Sequence, residues 1–215
     1  MRIWHEMART IGVAVLLWLL QILVLGALVS ESWASGVLAR ERRLMTASLG
    51  AEASRRVTAE ADGWYRALFV RTGTVEATYR FCLPTEAQAR RSEPFRAAGL
   101  IVLPFVEERL TVLWMLVYQM LVRTASFALW LPVVSLLAVP AVIEGLMRRR
   151  IKQAGFDHAS PVVHRYSLYA MLLLAYAVPV TLLWPFAVSP VVYPAVGAGI
   201  ALALSLFVGN VQKRL

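Results

Sequence analysis

The stretch that decides the fold is Leu110–Met147, LTVLWMLVYQMLVRTASFALWLPVVSLLAVPAVIEGLM, followed at once by Arg148, Arg149 and Arg150. A helix crossing a bilayer core needs about 20 mostly apolar residues. Thr124–Met147 meets that length. Pro132 and Pro140 kink it, and neighbouring helices can satisfy the carbonyls they free. Leu110–Val122 is equally apolar but too short to cross alone. It is either a separate helix on the outer leaflet or the outer extension of Thr124–Met147. In both cases Arg123 is expected to snorkel to the interface.

Three more stretches have spanning length: Ile11–Val29, Tyr166–Pro185 and Ala195–Val211. The first carries no formal charge and exceeds the ~7–15 apolar residues of a signal peptide, so a retained anchor is expected. Phe186–Pro194, FAVSPVVYP, reads as a tight interfacial turn that joins the last two spans into a hairpin. Small residues at Gly197, Gly199, Ala201, Ala203 and Ser205 suit close helix packing in lipid. Composition agrees. Apolar residues make up 59% and charged residues 16%, against ~45–50% and ~25% in soluble domains. An ordinary soluble enzyme is thereby excluded. The single cysteine, Cys82, excludes an intrachain disulfide and any CxxC metal site.

Orientation follows from basic residues near span ends. Arg2 and Arg9 precede the first span; Arg148, Arg149, Arg150, Lys152 and Arg165 lie between the second and third; Lys213 and Arg214 close the chain. With four spans these regions share one side, so both termini face the cytoplasm. Glu31–Arg109 then faces outward, with 12 arginines and 10 acidic residues in its 79 positions. Ser32–Ala61 reads as a helix continuing outward from the first span, and Trp64, Tyr65, Leu68 and Phe69 as an amphipathic cluster beside it. Arg71–Leu83 is open between strand and helix, and Pro84 and Pro94 bracket a short polar helix. The chain thus divides into an anchor (1–30), an extracytoplasmic helical segment (31–109) and a three-helix membrane region (110–215) with a basic loop at 148–165. The fold class is an all-α membrane protein of about four transmembrane helices.

No HExxH, GxSxG, P-loop or GxGxxG occurs, so no catalytic constellation, cofactor or metal is assigned. His158 and His164 flank Pro161 with only Asp157 nearby, an ordinary solvated pair. Glu107 and Glu108 are adjacent and point to different helix faces, so they read as a helix end rather than an acid/base pair. Glu144 lies four residues before Arg148, the spacing of an ion pair, with a proton or ion site as the rival. The candidate contact residues are Arg148, Arg149, Arg150, Lys152, His164 and Arg165 inside, for lipid or a protein partner, and Trp64, Tyr65, Leu68 and Phe69 outside.

The C-terminal third carries a resemblance. The basic run after the second span, GFDHASPVVHR at Gly155–Arg165, the Trp184–Pro185 pair and the basic end resemble a family of bacterial integrating-conjugative-element membrane proteins. That family belongs to conjugative type IV secretion gene sets. An aromatic is expected before the His-Arg pair, where this chain has Val163. The resemblance implies a non-catalytic inner-membrane subunit of a conjugative DNA transfer apparatus. Its expected partners are other secretion subunits or a coupling ATPase, without direct sequence-specific nucleic-acid binding. The alternative is a small channel or transporter subunit, against which stands the scatter of polar residues in the spans.

Overall fold

The computed structural model describes residues 16, 20–21, 24–83, 93–155, 160–182 and 184–211, without the side chains of 93–101 and 153. Most of Ile11–Val29, the basic termini, residues 84–92 and residues 156–159 therefore lie outside the described residues. All regular structure among the described residues is helical: α1 Glu31–Leu49, α2 Ala51–Tyr65, a π-helical turn Arg66–Val70, α3 Thr74–Cys82, α4 Glu93–Ala154, α5 Pro161–Leu182 and α6 Val192–Gly209. Arg71–Leu83, open between strand and helix in the sequence, holds α3.

The backbone of the molecule is α4. It runs unbroken for 62 residues, with Pro104, Pro132 and Pro140 inside it. At 1.5 Å per residue it is about 93 Å long, roughly three times the thickness of a bilayer core. Leu110–Val122 is therefore continuous with Thr124–Met147 in one helix, and the division between residues 109 and 110 falls inside that helix. Among the described residues, three helices are long and apolar enough to cross a membrane: Val102–Lys152 within α4, Pro161–Leu182 and Val192–Gly209.

The lower half of α4 packs chiefly on α6. Glycine makes the approach possible at two points. A Cβ at Gly145 would stand 2.7 Å from the Ser205 carbonyl oxygen, and one at Gly197 would collide with Val134. The small residues of α6 are thus spent on packing within the chain, as close helix contact in lipid demands.

The upper half packs on α1 and α2, and here the structure corrects the sequence reading. Ser32–Ala61 is not one helix running outward. A new helix starts at Ser30, whose Oγ accepts the Trp33 N–H, and it breaks at Gly50 with φ of 83°. α1 runs parallel to α4: Ala34 packs on Val112 and Leu116, Glu41 bonds Gln119 and Arg123, and Ser126 donates to the Met45 sulfur. α2 returns antiparallel: Val57 packs with Leu121 and Val122, Asp62 accepts from Tyr118, and Tyr65 meets Trp114. The two form a hairpin whose tip, at Gly50, points back toward the membrane half of α4.

Candidate functional site: two polar joints at the ends of the membrane helices

The outer joint is built on Arg123. This residue is 1% exposed, in a stretch otherwise apolar enough to lie in lipid. Its Nε donates to Glu41 Oε1 at 2.9 Å and its Nη2 to Glu41 Oε2 at 3.0 Å, a two-pronged pair. The remaining guanidinium hydrogens go to backbone. Nη1 donates to Thr181 O at 2.7 Å and Trp184 O at 2.6 Å, and Nη2 to Phe186 O at 2.8 Å. All five donors thus have acceptors. Glu41, 3% exposed, also accepts from Gln119 Nε2 at 2.8 Å. Two of the carbonyls, Thr181 O and Leu182 O, belong to the last turn of α5, where a helix leaves acceptors unmatched and a cation is favoured. One side chain therefore fastens α1, α4 and the turn between α5 and α6. Rather than extending away from the protein, Arg123 is held inward by the carbonyls and Glu41.

Above this joint Arg109 plays a similar part. Its Nη1 donates to Ala27 O and Val29 O at 2.9 and 2.7 Å, and its Nη2 to Glu108 at 2.7 Å. The end of the first hydrophobic stretch is thereby held beside α4.

The inner joint gathers around Asn210, just after α6. Its Oδ1 accepts from Lys152 Nζ at 2.8 Å and from Ser160 N at 3.4 Å, and its Nδ2 donates to Leu206 O at 2.8 Å. His164 stacks on Phe207 with ring centroids 4.3 Å apart. Arg148 and Glu144 form the anticipated ion pair at 2.5 Å, and Ser205 donates to the second Glu144 oxygen at 3.3 Å.

Of the inner contact residues, Lys152 and His164 come together on α6 and serve the fold. Arg148 is matched by Glu144, and Arg165 folds onto Tyr169 of its own helix, with Nε to the hydroxyl at 3.1 Å. Arg149 and Arg150 make no ion pair among the described residues, and Arg149 Nε is buried without a hydrogen bond. Of the outer residues, Tyr65 and Phe69 turn inward onto Trp114 in edge contacts, and Trp64 lies half-buried against the same core. Burial pushes the Tyr65 phenol up from its ordinary range. Only Leu68, 54% exposed, faces outward freely. The π-helical turn at Arg66–Val70 brings Tyr65 and Phe69 to one face.

The residues that sequence reasoning missed are Glu41, Gln119 and Asn210. A signal existed for the first two. Glu41 occupies a core position in the stripe Ala34, Val37, Glu41, Met45, and Gln119 stands one turn before the lone arginine of the apolar run. Asn210 carried none.

These features define a helical protein with, among the described residues, three helices long and apolar enough to cross a membrane and a helical hairpin locked to them by a buried ion pair. A family model described as IncC plasmid conjugative DNA transfer protein DtrJ-like matches residues 25–213, and the chain belongs to this family. It is a family of conjugative DNA transfer proteins, as the sequence resemblance implied, although its description names a plasmid rather than an integrating element. No curated protein and no solved structure matches the chain.

Proposed function

We propose that the chain is a non-catalytic inner-membrane subunit of a conjugative, type IV secretion-like apparatus, which positions a coupling ATPase or channel partner. The observation that carries this reading is the Arg123 joint. It spends a buried ionisable group on joining helices, which suits a rigid connector between outer and inner components. The guanidiniums of Arg149 and Arg150 are its inner contact surface, and Leu68 with the adjoining α2 face its outer one. Lipid surrounds the three spans. Ile11–Val29 supplies a fourth crossing that returns the N-terminus to the cytoplasm.

Purification of the chain in mild detergent from conjugating cells, with mass spectrometry of what accompanies it, tests the proposal. Recovery of a coupling ATPase or secretion subunits supports it. Ion flux through the pure chain in liposomes, with no such partner recovered, favours the channel alternative. On this reading the pure chain does not hydrolyse ATP.

A further inference from the structure

The outer hairpin does not point away from the membrane, and its charges are arranged for where it points. The end of the membrane helices away from the basic loop is marked by the turn that Arg123 holds, Thr181 to Phe186, with Trp184 and Phe186 exposed as interfacial aromatics. From Arg123 to Arg148 is 25 residues of one helix, about 37 Å, which matches a hydrocarbon core plus part of each headgroup layer. Met45 lies level with Ser126, just past Arg123 on the membrane side. The tip at Gly50 is five residues further on, about 7 Å deeper.

The residues at the tip, Thr46, Ala47, Ser48, Leu49, Gly50 and Ala51, carry no charge. Flanking them are Arg40, Arg42 and Arg43 on α1 and Arg55 and Arg56 on α2, all exposed. Two carboxylates fall in the same stretch. Glu41 is buried against Arg123, and Glu52 is held by Arg55 at 2.6 Å and Arg56 at 3.5 Å. The register with α4 puts the five arginines about level with Arg123, at the end of the apolar helices away from the basic loop.

We infer that the α1–α2 hairpin is a lipid-binding device: its uncharged tip dips into the outer leaflet of the same membrane, and its arginine collar binds phosphates of anionic phospholipid. This rests on the spanning placement of α4, α5 and α6 proposed above. The collar sets the depth of the long helix and keeps its outer half from tilting.

The test uses the full chain, Cys82→Ser, reconstituted in phosphatidylcholine containing phosphatidylglycerol. A fluorophore is placed in turn at Ser48→Cys, Ala77→Cys and Leu173→Cys, and quenching is read with nitroxide lipids labelled at the headgroup or deep in the acyl chain. Headgroup nitroxide quenches the label at Ser48, neither nitroxide quenches Ala77, and deep nitroxide quenches Leu173. A tip in water, with Ser48 unquenched while Leu173 is quenched, overturns the inference; loss of quenching at Leu173 overturns the spanning placement itself. The second arm compares melting temperature with and without phosphatidylglycerol. Each arginine near an anionic surface shifts lipid binding about fivefold. Arg43→Gln with Arg56→Gln therefore loses part of the stabilisation that phosphatidylglycerol gives the parent chain. An equal stabilisation of parent and variant refutes phosphate binding by the collar.

Discussion

Arg123 and Glu41 are 82 residues apart in the chain and 2.9 Å apart in space, each almost wholly buried. A buried pair of this kind is expensive to break from one side, because the remaining charge stays unmatched, whereas removing both charges together is far milder. Arg123→Met or Glu41→Met alone is expected to cost about 3–5 kcal/mol of stability. The double variant loses clearly less than the sum, although Arg123→Met also strands the carbonyls at the α5 end. Unfolding of the four species in one detergent gives the cycle, and strict additivity would show that the two side chains do not act as a pair.

Glycine substitutions separate close packing from free surface. Gly145→Ala sets a methyl 2.7 Å from a backbone oxygen of α6, so the α4–α6 contact has to open and the melting temperature falls. Gly36→Ala and Gly63→Ala meet nothing within 4 Å and sit in α1 and α2. Each is neutral or adds up to about 1 kcal/mol through the better helix former. A ranking in which Gly145→Ala is the mildest of the three contradicts the described α4–α6 packing.

Topology is read by impermeant thiol labelling of intact cells in the Cys82→Ser background. Cysteine at Ala77, on α3, labels from outside, and cysteine at Gly155 only after the inner membrane is opened. Cysteine at His5 behaves like that at Gly155 with four crossings. Labelling of His5→Cys from outside leaves three.

The apolar half of the fold was legible because lipid imposes a simple rule, long apolar runs, and the runs at Thr124–Met147, Tyr166–Pro185 and Ala195–Val211 obey it. The outer half was not, because its turning point is one residue. Gly50 reverses the chain between two helices of similar composition, and nothing in the charge pattern of Ser32–Ala61 marks the reversal. Leu110–Val122 is apolar for a different reason from Thr124–Met147: it is the core on which α1 and α2 close. At the site, Glu144–Arg148 was readable from i, i+4 spacing alone, while Arg123–Glu41 depended on the direction of α1.

The proposed partner contact lies on the inner basic surface, where Arg148 and Lys152 are already engaged and Arg149 and Arg150 are not paired among the described residues. Lysine keeps the charge that orients the membrane helices but loses the planar two-pronged donor geometry of guanidinium. A charge-assisted hydrogen bond contributes about 1.5–3 kcal/mol, roughly a ten- to hundredfold change in affinity. The decisive measurement is conjugative transfer frequency, with partner recovery, for Arg149→Lys combined with Arg150→Lys in cells where membrane insertion is unchanged. A partner-positioning subunit loses transfer about tenfold or more. Normal transfer with normal partner recovery would contradict the account and reduce these arginines to a topology signal.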